Sequence, residues 1–309
     1  MIIEVSSEEY KQLFQKDPHP FVSWHFTEEN KFKADRIVYL VDESGQSRIG
    51  LIAGVRDNMI KSPFSAPFGG FHFKKETVYT SEIDSFLVML EEYLNRNSFD
   101  GFQIILPPDI YHGTFNAKII NALMRNSFQH HIPEITNWVD LDAFHGTFNL
   151  KNSREYLRQA VRNKLTCKLV SEENEQKEVY ELIKANRARF GRSIYMSYED
   201  LKKMESLWPV DYFGVYHATE LIASAIFYRF HSEICYAVFW GDSEDGRPLR
   251  AMDYLSHHLW MHYKSEKFTY IDLGISTESG VPNHGLLRFK ESHNSTSSLR
   301  HRFSWHPGT

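Results

Sequence analysis

The chain has 309 residues, 42% of them hydrophobic and 24% charged, which is the composition of a folded, water-facing protein with room for two domains of roughly 150 residues. A formal net charge of -5 excludes a protein that grips nucleic acid through bulk positive charge, so DNA is not an expected partner. Two cysteines, Cys167 and Cys235, with no CxxC spacing, exclude a disulfide framework. No run approaches 18 apolar residues and the first residues lack a basic, then apolar, leader pattern; a cytoplasmic location is the expectation.

In chain order, "RIVYLVDESGQSRIGLIAGV" reads as two strands around a turn at Asp42-Glu43-Ser44-Gly45. "NMIKSPFSAPFGGFHF" is a third extended segment broken by Pro and Gly. "SEIDSFLVMLEEYLNRNSF" is a helix with Ser81 as N-cap, its Ile83, Phe86, Leu87, Leu90 and Leu94 falling at helical spacing. "GFQIILPP" follows as a buried strand, "FNAKIINALMRNSF" as a helix, and "ITNWVDLD" as a strand. The joint between halves is expected near residues 140–152. "SREYLRQAVRNKLTCKLV" and "NEQKEVYELIKANRARFG" then supply helices.

The second half repeats the order. "DYFGVYHATELIASAIFYRF" is a hairpin turning at His217-Ala218-Thr219-Glu220, and "SEICYAVFWGD" is a third strand. A helix starting near Pro248 carries Met252, Leu255, Leu259 and Tyr263 on one face. "FTYIDLGIS" is a strand, "HGLLRFKES" a short helix, and "SLRHRFSW" a last strand. A repeated element order without repeated sequence points to two similar domains, each a sheet with helices on its faces, and a cleft between them.

"YIDLGISTESGVPNHGLLRFKE", preceded by "GRPLRAMDYL", resembles the GNAT superfamily of N-acyltransferases. More narrowly it is similar to the Fem-type branch, the peptidoglycan-bridge aminoacyltransferases and their acyltransferase relatives. The resemblance lies in a strand ending Asp-x-Gly, a loop, and a helix carrying Leu-x-x-Phe-Lys. It implies an α/β (α+β) fold of two tandem GNAT-like domains, each a mixed, mostly antiparallel sheet flanked by helices. Residues 1–145 would face the acceptor, and residues 146–309 would bind the donor and catalyse. The implied activity is transfer of an acyl or aminoacyl group to an amine or hydroxyl of a cell-envelope, sugar-nucleotide or similar acceptor. The implied donor is an acyl-CoA such as acetyl-CoA, or alternatively an aminoacyl-tRNA. Where superfamily members carry Arg/Gln-x-x-Gly-x-Gly/Ala, this chain has "DSEDGRPLRAMDY" with Gly246 alone, and it shows no long charged helical hairpin of the kind some Fem enzymes have. A catalytically inactive, ligand- or partner-binding GNAT-like protein is the alternative.

Acyl transfer needs an anchor for the donor, polarisation of its carbonyl, and a place for the proton. The anchor falls at the helix start near Pro248, where unpaired amides attract an anion beside Gly246, Arg247 and Arg250. In "ICYAVFWGD", strand alternation puts Tyr236, Val238 and Trp240 on one face; Tyr236 is a candidate proton donor to the leaving group and Trp240 a pocket wall, or both are core. Asp272 lies in an apolar strand and serves either as proton acceptor or as a cap for the loop amides of residues 274–278. By the resemblance, Lys290 faces the donor carbonyl and stabilises its developing charge, with Arg288 able to meet a phosphate. Asn283 and Gly285 shape the turn into this helix, and Gly280 and Gly285 are expected at positive φ or close approach. Lys61 and Gly69-Gly70 in "SPFSAPFGGF" read as a substrate-facing loop or a plain surface loop.

Other signals carry less. His258 and His262, and Asp253 and His257, are four apart on a helix, but no HExxH or ligand set accompanies them and no metal is expected. Cys167 sits between lysines, with no base beside it, and reads as inert. "RQAVRNKLTCK" reads as the solvated basic face of one helix.

Overall fold

The computed structural model describes residues 1–43, 48–75, 77–230 and 233–308. Two compact units emerge: Met1–Ile135 with Ser279–Val281 and Ser298–Thr309, and Thr136–Glu278 with Pro282–Ser297. Residues 136–145 therefore lie in the second unit and the end of the chain in the first, unlike a single division at 145/146.

The first unit runs β1 (Ile2–Glu4), α1 (Ser7–Leu13), α2 (Trp24–Asn30), β2 (Arg36–Asp42), β3 (Ile49–Arg56), β4 (Met59–Ser62), β5 (His72–Phe73), α3 (Thr80–Arg96), β6 (Gly101–Ile105), α4 (Asp109–Arg125) and β7 (Gln129–His130). Its sheet has the order β1-β2-β3-β4-β6, then the closing strand Arg302–Trp305, then β7, with β5 beside β3. The step from β4 to β6 is parallel, with Met59 opposite Gly101 and Ser62 opposite Ile104. A parallel step needs a crossover, and α3 provides it by burying Ile83, Phe86, Leu87, Leu90 and Leu94 against the sheet. That helix starts one residue before the expected cap Ser81: Glu82 accepts the Tyr79 amide at 2.8 Å, so Tyr79 caps it instead. The second helix, α4, starts at Asp109, earlier than its "FNAKII" core, and kinks at His112. Of the turn expected between β2 and β3, Ser44 and Gly45 lie outside the described residues.

The second unit runs β8 (Glu134–Asp140), α5 (Lys151–Arg162), β9 (Thr166–Val170), α6 (Glu173–Arg189), α7 (Tyr198–Met204), β10 (Val210–His217), β11 (Glu220–Phe230), β12 (Ile234–Asp242), α8 (Ala251–Ser265), β13 (Tyr270–Ile275) and α9 (His284–Ser292). Its sheet has the order Thr296–Arg300, β8, β13, β12, β11, β10, β9. Here β12 to β13 is parallel, crossed by α8. The β4–α3–β6 and β12–α8–β13 crossovers are the repeated plan visible in the sequence. The stretch 158–168 is not one helix: α5 stops at Arg162, Lys164 turns at φ 56°, and Cys167 belongs to β9. The stretch "SLRHRFSW" is likewise two strands, broken at His301, whose carbonyl accepts the Leu106 amide at 2.9 Å. Among the described residues no helix is long and apolar enough to cross a membrane.

Candidate functional site

β12 and β13 stay together for three residues only: Ile234 with Tyr270, Cys235 with Ile271, Tyr236 with Asp272. Beyond that point β12 continues to Asp242, while β13 bulges between Asp272 and Ile275 and keeps company with β8. Gly274 makes the bulge, at φ +68°, a conformation that strains residues with a Cβ. The bulge is pinned from both sides. Asp272, 1% exposed, accepts the Gly274 amide at 2.8 Å. Lys290, equally buried, donates its ammonium to the carbonyls of Gly274 and Ile275, both at 2.9 Å. Burial lowers the Lys290 pKa from 10.5 to about 7, the Asp272 carboxylate acting in the opposite sense. A Cβ on Gly274 would stand 4.0 Å from the Tyr236 hydroxyl. Tyr236, Asp272 and Lys290 thus gather where the strands part.

The alternation expected along β12 fails at Val238. Ile226 pairs with Phe239 and Phe227 with Ala237, so Val238 is an extra residue and the faces exchange after it. Tyr236 stacks on Phe230 (5.8 Å between centroids), whereas Trp240 packs on Trp260 (6.3 Å) and Phe289 (5.7 Å). Tyr236 and Trp240 therefore do not share a face. The guanidinium of Arg187 lies over Phe239 at 5.1 Å.

A cavity of about 690 Å³ opens against the far end of β12. Its walls come from Trp240 and Asp242, the end of α6 with Arg187, Phe190 and Arg192 just beyond, the first turn of α8, and the start of α9 with Asn283, Leu286 and Phe289. The α8 helix begins at Ala251, three residues after Pro248, because the preceding turn is closed by its own bonds. The Ala251 amide donates to the Gly246 carbonyl at 3.0 Å and the Arg250 amide to the Arg247 carbonyl at 3.1 Å. Gly246 approaches so closely that a Cβ would come within 2.3 Å of the Ile222 carbonyl oxygen, which explains a glycine there; it is not itself a wall. Arg250 caps the helix at φ 65° without a side-chain bond to the first amides, leaving the N-terminal end of the helix at the cavity.

Four arginines, Arg187, Arg192, Arg247 and Arg250, border this space. Asp242 is tied to Asn186 and Arg189, both at 3.0 Å, with Arg247 at 3.6 Å. The Nε atoms of Arg187 and Arg250 are buried and make no hydrogen bond among the described residues; Arg250 lies over the Tyr156 ring at 3.7 Å. Burial, then the neighbouring Arg192, lowers the Arg187 pKa. Such a space can hold an anion through helix amides and guanidinium groups, with an apolar stem lying along Trp240, Met252 and Phe289.

The remaining sequence candidates divide between the units. Arg247, Arg250, Trp240 and Asn283 border the cavity, and Asn283 accepts the Leu286 amide at 3.1 Å as the N-cap of α9. Gly285 also borders it but lies inside α9 and carries no positive φ, unlike Gly280 at φ 78°. Arg288 is exposed on α9 and is not a wall. Lys61 lies in β4 opposite Gly54 and Gln103. Gly69 and Gly70 fold against Ser62: a Cβ on Gly69 would be 2.3 Å from its hydroxyl, which accepts the Gly70 amide at 3.2 Å. Residues that sequence reasoning passed over are Arg187 and Arg192; Asp253 enters it only as part of a metal pair and Phe289 only as part of the motif. The basic cluster in "NRARFGR" was the available signal for the arginines. Burial raises the Cys167 pKa to about 12, outweighing its flanking lysines. Among the described residues no group of three or more His, Cys, Asp or Glu side chains is arranged to hold a metal.

No family model matches the chain, and no curated protein matches it in sequence. Solved structures do share its fold. FemX has a TM-score of 0.67 at 12% identity, covering 99% of this chain and 97% of that one. L-PGS from Bacillus licheniformis has 0.57 at 12% identity, over 98% and 92%. A tandem GNAT protein from the clavulanic acid biosynthesis pathway has 0.54 at 9% identity, over 100% and 99%. The architecture is that of Fem-like and tandem GNAT proteins, as the motif resemblance implies; at these identities the likeness is one of fold.

Proposed function

We propose that the chain is an acyltransferase that moves an acyl or aminoacyl group from an anionic donor to an amine or hydroxyl. The observation that carries this reading is the parting of β12 and β13 at Tyr236 and Asp272, together with a cavity bordered by four arginines at the far end of β12, whose walls do not include Tyr236, Asp272 or Lys290. In a GNAT-like fold that gap admits the extended arm of a CoA thioester. Arg187, Arg192, Arg247 and Arg250, with the α8 amides, would hold the donor's phosphates, and Trp240 and Phe289 its apolar stem. An aminoacyl-tRNA offers the same anionic chemistry and is the alternative donor.

The reaction forms a bond from the acceptor's nitrogen or oxygen to the acyl carbon and breaks the bond to the leaving sulfur or oxygen. Lys290 would oppose the charge that develops on the carbonyl oxygen: as an ammonium it has three hydrogens, of which two are given to Gly274 and Ile275. Asp272 would take the proton lost by the acceptor and Tyr236 would return one to the leaving group. The acceptor would be a cell-envelope precursor, a sugar nucleotide or a similar molecule. Within the second unit we assign Asn283 and Arg288 to it, and within the first, separately, Lys61, Gly69 and Gly70.

One observation favours a second reading, a binding protein without catalysis. Lys290 and Asp272 both bond to the backbone of residues 274–275, which is what a purely structural pair would do. Thermal shift with acetyl-CoA, longer acyl-CoAs and aminoacyl-tRNA tests the donor, because a ligand of the folded state raises the melting temperature. No shift with any of them in folded protein refutes the enzyme reading. With a donor in hand, Lys290→Ala should slow turnover by about 100-fold or more and change donor affinity far less. Retained turnover in Lys290→Ala would take Lys290 out of the chemistry and leave it as a clamp of the bulge, whereas a donor that binds wild type without being turned over leaves the binding protein.

A further inference from the structure

Asp253 is an anomaly in the cavity. It is a carboxylate in the first turn of α8, 7% exposed, on the wall of a space whose other carboxylate, Asp242, is paired with Arg189 and Arg247. Its Oδ1 lies 3.1 Å from Nε2 of His293, which is 2% exposed at the end of α9. On the other side of that ring, Nδ1 lies 2.6 Å from the Phe289 carbonyl oxygen and 3.1 Å from the Ser292 hydroxyl. The Ser292 hydroxyl gives its hydrogen to the same Phe289 carbonyl at 2.8 Å. Nδ1 therefore faces oxygens that accept and must carry a hydrogen, and Nε2 faces a carboxylate. Phe289 lies against the ring at 4.1 Å, the edge of Phe148 meets it at 4.6 Å, and the indole of Trp260 donates to the His293 carbonyl at 2.9 Å. The ring is held on all sides with two acceptors at its two nitrogens.

We infer that His293 is a positioning residue that carries both ring protons and neutralises Asp253, so that the first turn of α8 can accept an anionic donor. This rests on the reading of the cavity as the donor site. Without the imidazolium, the carboxylate would oppose a phosphate held at the same helix end. The pair also ties α8 to α9, the two helices that line the cavity's apolar part.

The test measures the affinity of the full chain for inorganic pyrophosphate and, separately, for coenzyme A by titration calorimetry. His293→Gln should weaken both by roughly tenfold, because Asp253 keeps its charge and loses its counter-charge. Asp253→Asn alone should bind at least as tightly as wild type. The double variant D253N/H293Q should return to within about threefold of wild type, since no charge is left to compensate. A merely structural pair would leave the double variant as weak as His293→Gln or weaker, and that result overturns the inference, as does unchanged affinity in His293→Gln. Wild-type protein that binds neither probe refutes the donor site itself and this inference with it. If His293→Gln does not fold, nitrogen-15 spectra of histidine-labelled wild type at neutral pH decide, with Asp253→Asn used to identify the signal. Two protonated ring nitrogens on His293 support the pair, and one overturns it.

Discussion

Replacing Lys290 by methionine keeps the bulk of the side chain and removes its amine. Two consequences separate cleanly. The carbonyls of Gly274 and Ile275 lose their donor, which costs about 1 to 3 kcal/mol in total and does not depend on pH. The titration of the amine does depend on pH. Its pKa falls from 10.5 in the open chain to about 7 in the folded protein, chiefly through burial. Between those values the unfolded chain holds one more proton than the folded one, so folded stability rises with pH by up to about 1.4 kcal/mol per pH unit. From pH 7 to about pH 10 the wild type should therefore gain roughly 3 to 4 kcal/mol over Lys290→Met, whose side chain does not titrate. Below the folded pKa the difference between the two proteins should be flat. Urea unfolding of both proteins across this range measures it, with equal denaturant slopes as the control that the unfolding transition is the same. A difference that stays constant from pH 7 to pH 10 would mean that the amine keeps an ordinary ionisation, and the reasoning that burial lowers its pKa would fall.

Arg250→Gly removes a positive-φ strain of about 1 kcal/mol and also the stacking on Tyr156, so stability should change by less than about 1 kcal/mol while affinity for coenzyme A drops several-fold; an equal loss of both would make Arg250 a structural residue. Gly274→Ala should destabilise by about 1 to 2 kcal/mol in thermal or urea unfolding, from the left-handed backbone alone, because the nearest atom to the new methyl is the Tyr236 hydroxyl at 4.0 Å. Neither cysteine should react with a thiol reagent at neutral pH on the timescale of a free cysteine, since burial raises both pKa values; rapid modification of Cys167 would contradict its place in β9.

The fold was legible wherever a periodic apolar pattern coincided with an element. Helix α9 occupies the predicted "HGLLRFKES", and the hairpin of β10 and β11 turns on Ala218 and Thr219 as the sequence suggests. What failed to show were single-residue events that periodicity averages over. The extra residue at Val238 reverses the faces of β12, and nothing in "CYAVFWG" marks it. Gly274, rather than Gly285, carries the left-handed turn. Arg250 moves the start of α8 past the proline that usually marks it. The site was half visible. Tyr236, Asp272 and Lys290 stood out by residue type and motif, whereas Arg187 and Asp253 lie more than 60 residues apart in sequence and meet only through the fold.

The strand Arg302–Trp305 lies between β6 and β7, with Phe303 opposite both Ile104 and His130. Its residues are made about 170 positions after those of β7. During synthesis the first sheet must therefore wait, with β6 lacking a neighbour on that side, until residues 302–305 have left the ribosome. Six of the seven strands of the second unit's sheet, β8 to β13, are made well before that closing strand, and the seventh, Thr296–Arg300, immediately before it. Although the first unit begins the chain, the order of completion is reversed, and a protein released short of residue 302 would present β6 as an open edge for other chains to pair with.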